Sequence, residues 1–374
     1  MPQGDRKGRP YPVVYGRGDP CGRPGGGARP ISTILNLTLI GRPLRSPWLF
    51  GCFTRLHYLI GEVMLTGLDH IIIGVTSLEQ ATTTFSQKLG LAVTGGGVHP
   101  FGGTANRVVV IGDTYLELIT VRTPVEAQGS MVERLAKGDG YLNFALSSDD
   151  IEADSVAMRS RGVAVIGPTA GQLKSPDGRT RGWSRIDVER ADLTQHYPFV
   201  IQHDSLGEER RFRLAGWTTP PAHTLGVVKV LSATIAVADL EEATQRFQHV
   251  YGLQPSEPFT GEADGWEAML VSFPLGESGQ SFELAEPLPF SIDAGVSSSD
   301  LPGAGALTRY LQQFGESLCR VTLAVDDLAE SRRFLDEHEV TYTFRDDTST
   351  EHPVLWIHAH EACGAAMVLH EVTP

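Results

Sequence analysis

Cysteine is scarce in this sequence: Cys21, Cys52, Cys319 and Cys363 are the only four in 374 residues. None of them forms a CxxC pair. A disulfide-stapled scaffold needs a dense set of cysteines, and a zinc finger needs pairs at short spacing. The sequence therefore excludes both as the basis of the fold.

Long apolar runs and clusters of basic residues are also missing. No apolar run reaches the roughly 18 residues that a membrane helix needs, and the stretch 31–40 is too short and polar for a signal peptide. Residues 64–374 hold 22 Lys and Arg against 42 Asp and Glu, whereas nucleic acids and anionic membranes bind clustered positive charge. We therefore expect a cytoplasmic protein with a small-molecule substrate or ligand and no nucleic-acid or membrane partner. A homodimer is compatible with the sequence.

The first 63 residues differ from the rest of the chain. Eight Gly and six Pro occur among the first thirty residues, which disfavours regular secondary structure. The segment GDRKGRP at 4–10 is followed fourteen residues later by GDPCGRP at 18–24, a short repeat of the kind that translated intergenic DNA produces. We expect residues 1–63 to be a spurious extension, with the true start at Met64. The alternative is a basic disordered arm.

One pattern then occurs four times. The segments IIIGVTSLEQATTTF, FALSSDDIEADSVAM, ATIAVADLEEATQRF and VTLAVDDLAESRRFL each combine an alternating apolar strand, a Ser or Asp helix cap and a helix. Extended segments follow each helix and end in TYLELI, PFVIQHD, SFELAEP and AMVLHEV. The sequence therefore predicts an α+β protein built from four βαβββ modules.

These modules resemble a known superfamily. Together with GLDHIIIGV, VHPFGGTANRVVVIGDTYLELI, YPFVIQHD and HTLGVVKVLSATIAVADLEEA, they resemble the glyoxalase-like proteins of the vicinal oxygen chelate superfamily over roughly residues 65–374. The resemblance implies two domains, each made of two modules whose curved sheets enclose a cup, with the helices outside. We expect these domains at 64–206 and 227–374. A linker, charged and then rich in proline, is expected at 207–226.

Strand alternation predicts which side chains face the first cup, because successive residues of a strand point to opposite faces. In the first strand Asp69 is expected beneath the helix 78–89, so that His70 faces the cup. In TYLELI the same count places Tyr115 and Glu117 on the cup side. A histidine and a carboxylate from separate strands are therefore expected to meet.

The same count in the second module places Asn143 at the position that matches His70, and Gln202 at the position that matches Glu117. In the superfamily these four positions bind a metal ion. The resemblance thus implies a divalent ion, Mn, Fe, Ni or Zn, with His70 and Glu117 as ligands and Gln202 as a weak third ligand. Two neutral amides are weak ligands, so a substrate would have to contribute further oxygens.

Two functions are compatible with this cup. One is a metal-assisted enzyme of the lyase or isomerase type, or one related to the dioxygenases, acting on a small oxygen-bearing metabolite. In it Glu117 could also serve as the catalytic base, because burial tends to raise the pKa of a carboxylate. The other is a metal-free protein of the same fold that binds or sequesters a small molecule. A third interpretation is that His70 and Glu117 are only a buried hydrogen-bonded pair.

Further residues are expected to line the cup. His99, Thr104 and Asn106 lie in the glycine-rich segment GGGVHPFGGTAN and can contact a substrate at the entrance, as can Tyr115 and Asn143. For the glycine-rich segment the alternative is turn chemistry, which Gly and Asn also favour.

The third and fourth modules place Ser232, Glu283, Arg320 and His370 at the inward positions of a second cup. An arginine there would repel a metal ion. We expect either a pocket for an anion or a structural copy of the first cup in which Arg320 pairs with Glu283.

Overall fold

The computed structural model describes residues 65–99, 102–175, 177–189, 196–263, 266–288, 305–346 and 353–372. The extension predicted at residues 1–63 and the start predicted at Met64 lie outside these ranges. All described residues belong to one compact unit, residues 50–374.

The described chain forms sixteen strands and seven α-helices. The strands are β1 (Leu65–Gly74), β2 (Val93–Val98), β3 (Thr104–Ile111), β4 (Thr114–Val121), β5 (Gly140–Ser148), β6 (Val165–Lys174), β7 (Thr180–Val188), β8 (Phe199–His203), β9 (Val227–Ala236), β10 (Phe259–Ala263), β11 (Trp266–Leu275), β12 (Gln280–Pro287), β13 (Ser317–Val325), β14 (Tyr342–Arg345), β15 (Val354–Ile357) and β16 (Met367–Glu371). The helices are α1 (Leu78–Thr83), α2 (Gly129–Ala136), α3 (Ile151–Ser160), α4 (Gly207–Ala215), α5 (Leu240–Tyr251), α6 (Ala306–Phe314) and α7 (Leu328–Glu337). Helix α1 is shorter than the predicted 78–89 because it continues as a π-helical turn, Thr84–Lys88.

The helix of each module begins at its predicted cap. The side chains of Ser77, Asp150, Asp239 and Asp327 each accept a hydrogen bond from the backbone N–H three residues further on. Such a bond satisfies one of the N–H groups that the first turn of a helix leaves without a partner. The caps therefore fix where each strand stops and each helix starts.

The four predicted modules assemble into two eight-stranded sheets with the same topology. One sheet has the order β2-β3-β4-β1-β5-β8-β7-β6, and the other has the order β10-β11-β12-β9-β13-β16-β15-β14. Within each module the first strand pairs in parallel with the last. The first strands of two modules pair antiparallel, β1 with β5 and β9 with β13. The predicted α+β fold with two paired sheets is thus confirmed.

The helix-facing sides of both sheets contribute to one hydrophobic core. Phe144 of the first sheet and Phe282 of the second both belong to it, and their ring centroids lie 6.2 Å apart. Hydrogen bonds also join the two halves, because the Gln280 side chain accepts from the Leu68 N–H and donates to the Thr114 hydroxyl. Since the halves share a core, the domain boundaries at 64–206 and 227–374 remain predictions.

The opposite, cup-facing side of each sheet is covered by a helix outside the repeating pattern. In the first sheet α4, which lies inside the predicted linker 207–226, packs Leu214 and Ala215 against Val108 and Val110. In the second sheet α6 packs Leu307 against small and apolar side chains of the sheet. No helix in the described part of the chain is long and apolar enough to cross a membrane.

Candidate active site

His70 and Glu117 meet on the cup-facing side of the first sheet. They lie on the parallel neighbours β1 and β4, and both side chains are buried. His70 Nε2 is 3.8 Å from Glu117 Oε2. This distance is too long for a hydrogen bond. The two groups are therefore close neighbours that are not hydrogen-bonded to each other.

Asp69 joins this pair through an irregularity in β1. The register between β1 and β5 shifts between Leu68 and His70, so that Asp69 is an extra residue on one side of the ladder. Its carboxylate Oδ1 lies 2.6 Å from His70 Nδ1. A bulge of this kind redirects a side chain. The prediction that Asp69 lies with the core residues beneath the helix is therefore wrong.

Two more cationic or polar side chains converge on the same carboxylate. His203 Nε2 is 3.2 Å from Asp69 Oδ1, and Arg210 Nη2 of α4 is 2.7 Å from Asp69 Oδ2. Burial alone would raise the pKa of Asp69, but Arg210, His203 and His70 together hold it well below its usual value. Asp69 is thus ionised and acts only as an acceptor.

The ionised Asp69 sets the proton position on the His70 ring. Because the carboxylate can only accept, Nδ1 of His70 carries a proton, and in the neutral ring Nε2 then presents a lone pair to the cup. The ring is held in place by stacking on Tyr115, with centroids 4.7 Å apart, and by an edge contact with Phe199 at 5.4 Å. His70 therefore has a fixed orientation, with Nε2 towards Glu117.

The predicted contacts from the glycine-rich segment surround Glu117. Asn106 donates a hydrogen bond from Nδ2 to Glu117 Oε1 and accepts one from the Gly97 N–H. His99 Nε2 is 3.7 Å from Glu117 Oε1, while its Nδ1 is 2.7 Å from the Thr104 hydroxyl. Burial lowers the pKa of His99, so this ring is neutral around pH 7. These residues thus orient Glu117.

The pKa of Glu117 is lowered, contrary to the expectation from burial. Desolvation is the largest single influence and raises the pKa, but His70, His99, the Asn106 hydrogen bond and Arg181 together outweigh it. A carboxylate that stays ionised to low pH is a weak proton acceptor. Glu117 is therefore better suited to stabilise a neighbouring positive charge than to act as the base.

Arg181 on β7 is a cup residue that the sequence reasoning missed. It is 6 % exposed, and it influences the pKa values of Glu117, His99 and Tyr115. It lies two residues before Trp183, which packs with the cup-facing residue Ile201. Side chains alternate between the two faces along β7, but nothing in the sequence shows which of the two sets faces the cup.

Gln202 does not face the cup, so its predicted role as a third ligand is wrong. Its side-chain amide bonds the Asp149 carbonyl and the Ile151 N–H at the start of α3. Phe199 and Ile201, on the alternate positions of β8, face the cup instead. In β8 the sequence prediction assigned the cup-facing positions one residue away from the true ones. The cup-facing residue near Asp69 is therefore His203 and not Gln202.

Asn143 lies opposite Ile72 in the ladder between β1 and β5. Its Nδ2 donates to the Tyr197 carbonyl, and its Oδ1 accepts from the Phe144 N–H. Both polar groups of the side chain thus hold the backbone that leads into β8.

A family model described as a glyoxalase-like domain matches residues 68–251, which include His70, Glu117, Arg181 and Arg210. The chain therefore contains a glyoxalase-like domain. No curated protein sequence matches it.

Solved structures share the fold of this glyoxalase-like protein. A hypothetical protein from Staphylococcus aureus matches with a TM-score of 0.54 and 14% identity, covering 82% of this chain and 99% of that chain. A triple mutant of 4-hydroxymandelate synthase from Streptomyces coelicolor matches with a TM-score of 0.53 and 11% identity, covering 82% and 93%. At these identities the likeness shows the fold alone.

The residues of this glyoxalase-like cup do not fit a resident metal ion. Ile72 pairs with Glu117 in the first module, and the matching pair in the second module is Ala145 with Phe199, so an apolar ring replaces the carboxylate. At the position that matches His70, the Asn143 amide already bonds backbone groups. Among the described residues no three His, Cys, Asp or Glu side chains stand close enough together to hold a metal. The guanidinium of Arg181 already supplies positive charge near Glu117.

The second cup of the glyoxalase-like protein is closed by an ion pair. Arg320 Nη2 lies 2.8 Å from Glu283 Oε2 and also donates to the Thr234 hydroxyl. Arg320 is buried and its guanidinium lies 5.5 Å from the Trp356 ring. This is the pairing expected of a structural copy. The predicted neighbours Ser232 and His370 lie on strands β9 and β16 of the same sheet.

Proposed function

We propose that the first cup is the active site of a metal-independent enzyme that transfers a proton on a small oxygen-bearing metabolite, in the manner of a lyase or isomerase. The observation that carries this proposal is the Asp69–His70 hydrogen bond at 2.6 Å, which places the proton of the neutral His70 ring on Nδ1 and leaves Nε2, 3.8 Å from Glu117 Oε2, as its basic nitrogen. A base oriented by a carboxylate is a recurring catalytic arrangement.

In this mechanism His70 is the general base. A C–H bond next to a substrate carbonyl breaks, its proton goes to His70 Nε2, and its electron pair moves to the carbonyl oxygen. Return of the proton to the opposite face of the same carbon completes an epimerisation. In a 2-hydroxy carbonyl substrate the proton returns to the neighbouring carbon, the hydroxyl proton passes to the oxygen of the former carbonyl, and an isomerisation is complete. Asp69 is a positioning residue, because it acts through His70 by fixing the ring and its tautomer.

Glu117 stabilises the imidazolium that forms when His70 takes the proton. It is ionised, buried and 3.8 Å from the nitrogen that becomes charged. Charge interactions are stronger in a buried site than in water. The hydrogen bond from Asn106 holds the Glu117 carboxylate in this position.

The test is exchange of substrate hydrogen with solvent deuterium. We would incubate the full-length protein in heavy water with dicarbonyl compounds, 2-oxo acids, diols and thioesters, and follow their carbon-bound hydrogens by proton NMR. We expect exchange of at least one class, reduced about 10²–10⁴-fold in His70→Gln. The control is His338→Gln, because His338 is exposed and directly follows α7, in the half of the chain that forms the second sheet. Equal exchange by His70→Gln and the wild type would rule the mechanism out.

A second candidate function is binding of a small molecule without chemistry. The aromatic wall that Tyr115 and Phe199 form around His70 favours it, since such walls hold flat ligands. Ligand binding without any deuterium exchange, retained in His70→Gln, would support this candidate over the enzyme.

A further inference from the structure

The first cup contains buried N–H donors that have no partner. Arg181 is 6 % exposed, yet its Nη1 has no hydrogen-bond partner among the described residues. The same holds for Trp217 Nε1 and for Arg210 Nε. All three side chains are near Tyr115: Arg210 lies 5.7 Å from its ring, Trp217 packs in its cluster, and Arg181 influences its pKa.

In the described part of the chain, the unpartnered polar atoms around this cup are all hydrogen-bond donors. Of the described residues around this cup, those with an unpartnered buried side-chain atom offer only N–H groups and no acceptor. A buried donor without a partner is costly, and a buried charge is more so. A ligand that supplied oxygen acceptors and negative charge would remove that cost.

Glu117 does not neutralise Arg181, although it is the carboxylate that Arg181 influences. Its Oε1 accepts from Asn106, and its two oxygens face His99 and His70. Among the described residues Arg181 makes no ion pair within 4.0 Å, whereas Arg210 is paired with Asp69. The guanidinium of Arg181 thus remains available.

We propose that Arg181 binds the carboxylate of the substrate, so that the cup accepts small 2-oxo or 2-hydroxy carboxylic acids. A guanidinium matches a carboxylate with two parallel hydrogen bonds, which gives orientation as well as affinity. This inference rests on the proposed function in one respect: it places the ligand in the same cup. Arg181 is near enough to Glu117 and His99 to influence their pKa values, so a carboxylate on its guanidinium lies in the same cup as His70.

Isothermal titration calorimetry of the full-length protein tests this assignment. The probes are pyruvate, lactate and oxalate, with pyruvamide as the neutral counterpart of pyruvate. We expect the wild type to bind at least one of the carboxylates and to bind pyruvamide much more weakly. Arg181→Gln should weaken carboxylate binding about tenfold or more. Arg107→Gln is the matched control, because Arg107 is an exposed arginine of the same sheet.

Stability separates a binding role of Arg181 from a structural one. Removal of an unpartnered buried charge should leave the melting temperature of Arg181→Gln unchanged or higher. Arg181→Lys, which keeps the charge but loses the two-pronged geometry, should fold and bind the carboxylates less tightly than the wild type. Three results would overturn the proposal: no carboxylate binds, pyruvamide binds as well as pyruvate, or both variants bind like the wild type.

The two proposals fail in different ways. His70→Gln should still bind pyruvate or lactate, because Arg181 is intact, while losing deuterium exchange. If Arg181 governs binding and no exchange occurs, only the proton-transfer function fails. If exchange depends on His70 and neutral substrates react as well as acids, only the carboxylate assignment fails.

Discussion

Arg210 and Asp69 are 141 residues apart in the chain and form a buried ion pair, with 2.7 Å between Nη2 and Oδ2. Arg210 lies on α4, and Asp69 lies in the bulge of β1 beside His70. The segment predicted as a linker therefore carries a residue that controls the charge of the candidate site.

Replacing Arg210 should destabilise the protein. Arg210→Gln leaves the ionised Asp69 without its guanidinium partner, and breaking a mostly buried pair costs about 2–4 kcal/mol. Urea unfolding should show this loss in the free energy of unfolding. Arg213→Gln on the same helix is the control, since its partners Glu209 and Asp204 are exposed and its loss should cost less than about 1 kcal/mol. Equal effects of the two variants would contradict the role given to Arg210.

Stability should fall as the pH drops from 7 to 5. Burial lowers the pKa values of His99 and His203 below the ordinary 6.5, although carboxylates nearby oppose this. In this range the unfolded chain binds more protons than the folded one, so acid favours unfolding. His203→Gln should flatten this part of the profile in urea unfolding at pH 7, 6 and 5. An unchanged slope would show that His203 is not held neutral.

A further loss of stability is expected below about pH 4.5. The folded pKa values of Asp69 and Glu117 lie below their ordinary values of 3.8 and 4.5, so both carboxylates stabilise the fold above this range and lose that effect as they are protonated. Asp69→Asn and Glu117→Gln should each weaken this acid transition.

Asn106 should control the ionisation of Glu117. Asn106→Ala removes a hydrogen bond to the charged carboxylate, so the pKa of Glu117 should rise. Carbon NMR of labelled glutamate carboxyl groups would follow the titration directly. Asn143→Ala is the control, because Asn143 bonds backbone groups and not Glu117. A lower or unchanged pKa in Asn106→Ala would contradict the account.

The protein should not depend on a metal ion. Elemental analysis after purification without chelator should find far less than one Mn, Fe, Ni or Zn per chain, and chelator should leave the melting temperature unchanged. This follows from Phe199 at the position that matches Glu117, from the backbone-bonded amide of Asn143 at the position that matches His70, and from Arg181 beside Glu117. A stoichiometric metal that disappears in both His70→Ala and Glu117→Ala would restore the metal site.

The same substitution should cost much more stability at Arg320 than at Arg181. Arg320→Met leaves Glu283 without its buried partner and should cost about 3–5 kcal/mol in the free energy of unfolding. Arg181→Met removes a charge that has no ion-pair partner and should cost little. Similar losses in the two variants would mean that Arg181 has a structural partner.

Local signals in the sequence predict the fold well. The caps at Ser77, Asp150, Asp239 and Asp327 were read correctly because a helix start depends on a few neighbouring residues. The repeat then gave the number of modules. His70 and Glu117 could also be placed, since alternation holds over a short, regular stretch of strand.

The rest of the site depends on strand pairing and long-range contacts, which the alternation of side chains along a strand does not predict. The bulge at Asp69 arises from pairing between β1 and β5. Gln202 was misplaced because nothing in PFVIQHD shows which alternate residues face the cup. Arg181 and Arg210 reach the cup only through long-range packing. The expected rise in the pKa of Glu117 was wrong because burial was counted without the four groups that oppose it.

The central claim is that His70 Nε2 is a free base held in place by Asp69. Long-range proton–nitrogen NMR of the histidine rings at pH 7 identifies the protonated nitrogen. We predict the proton on Nδ1 of His70 in the wild type, and a loss of this preference in Asp69→Asn. A His70 ring that carries its proton on Nε2 could not accept one from a substrate, and that result would contradict the account.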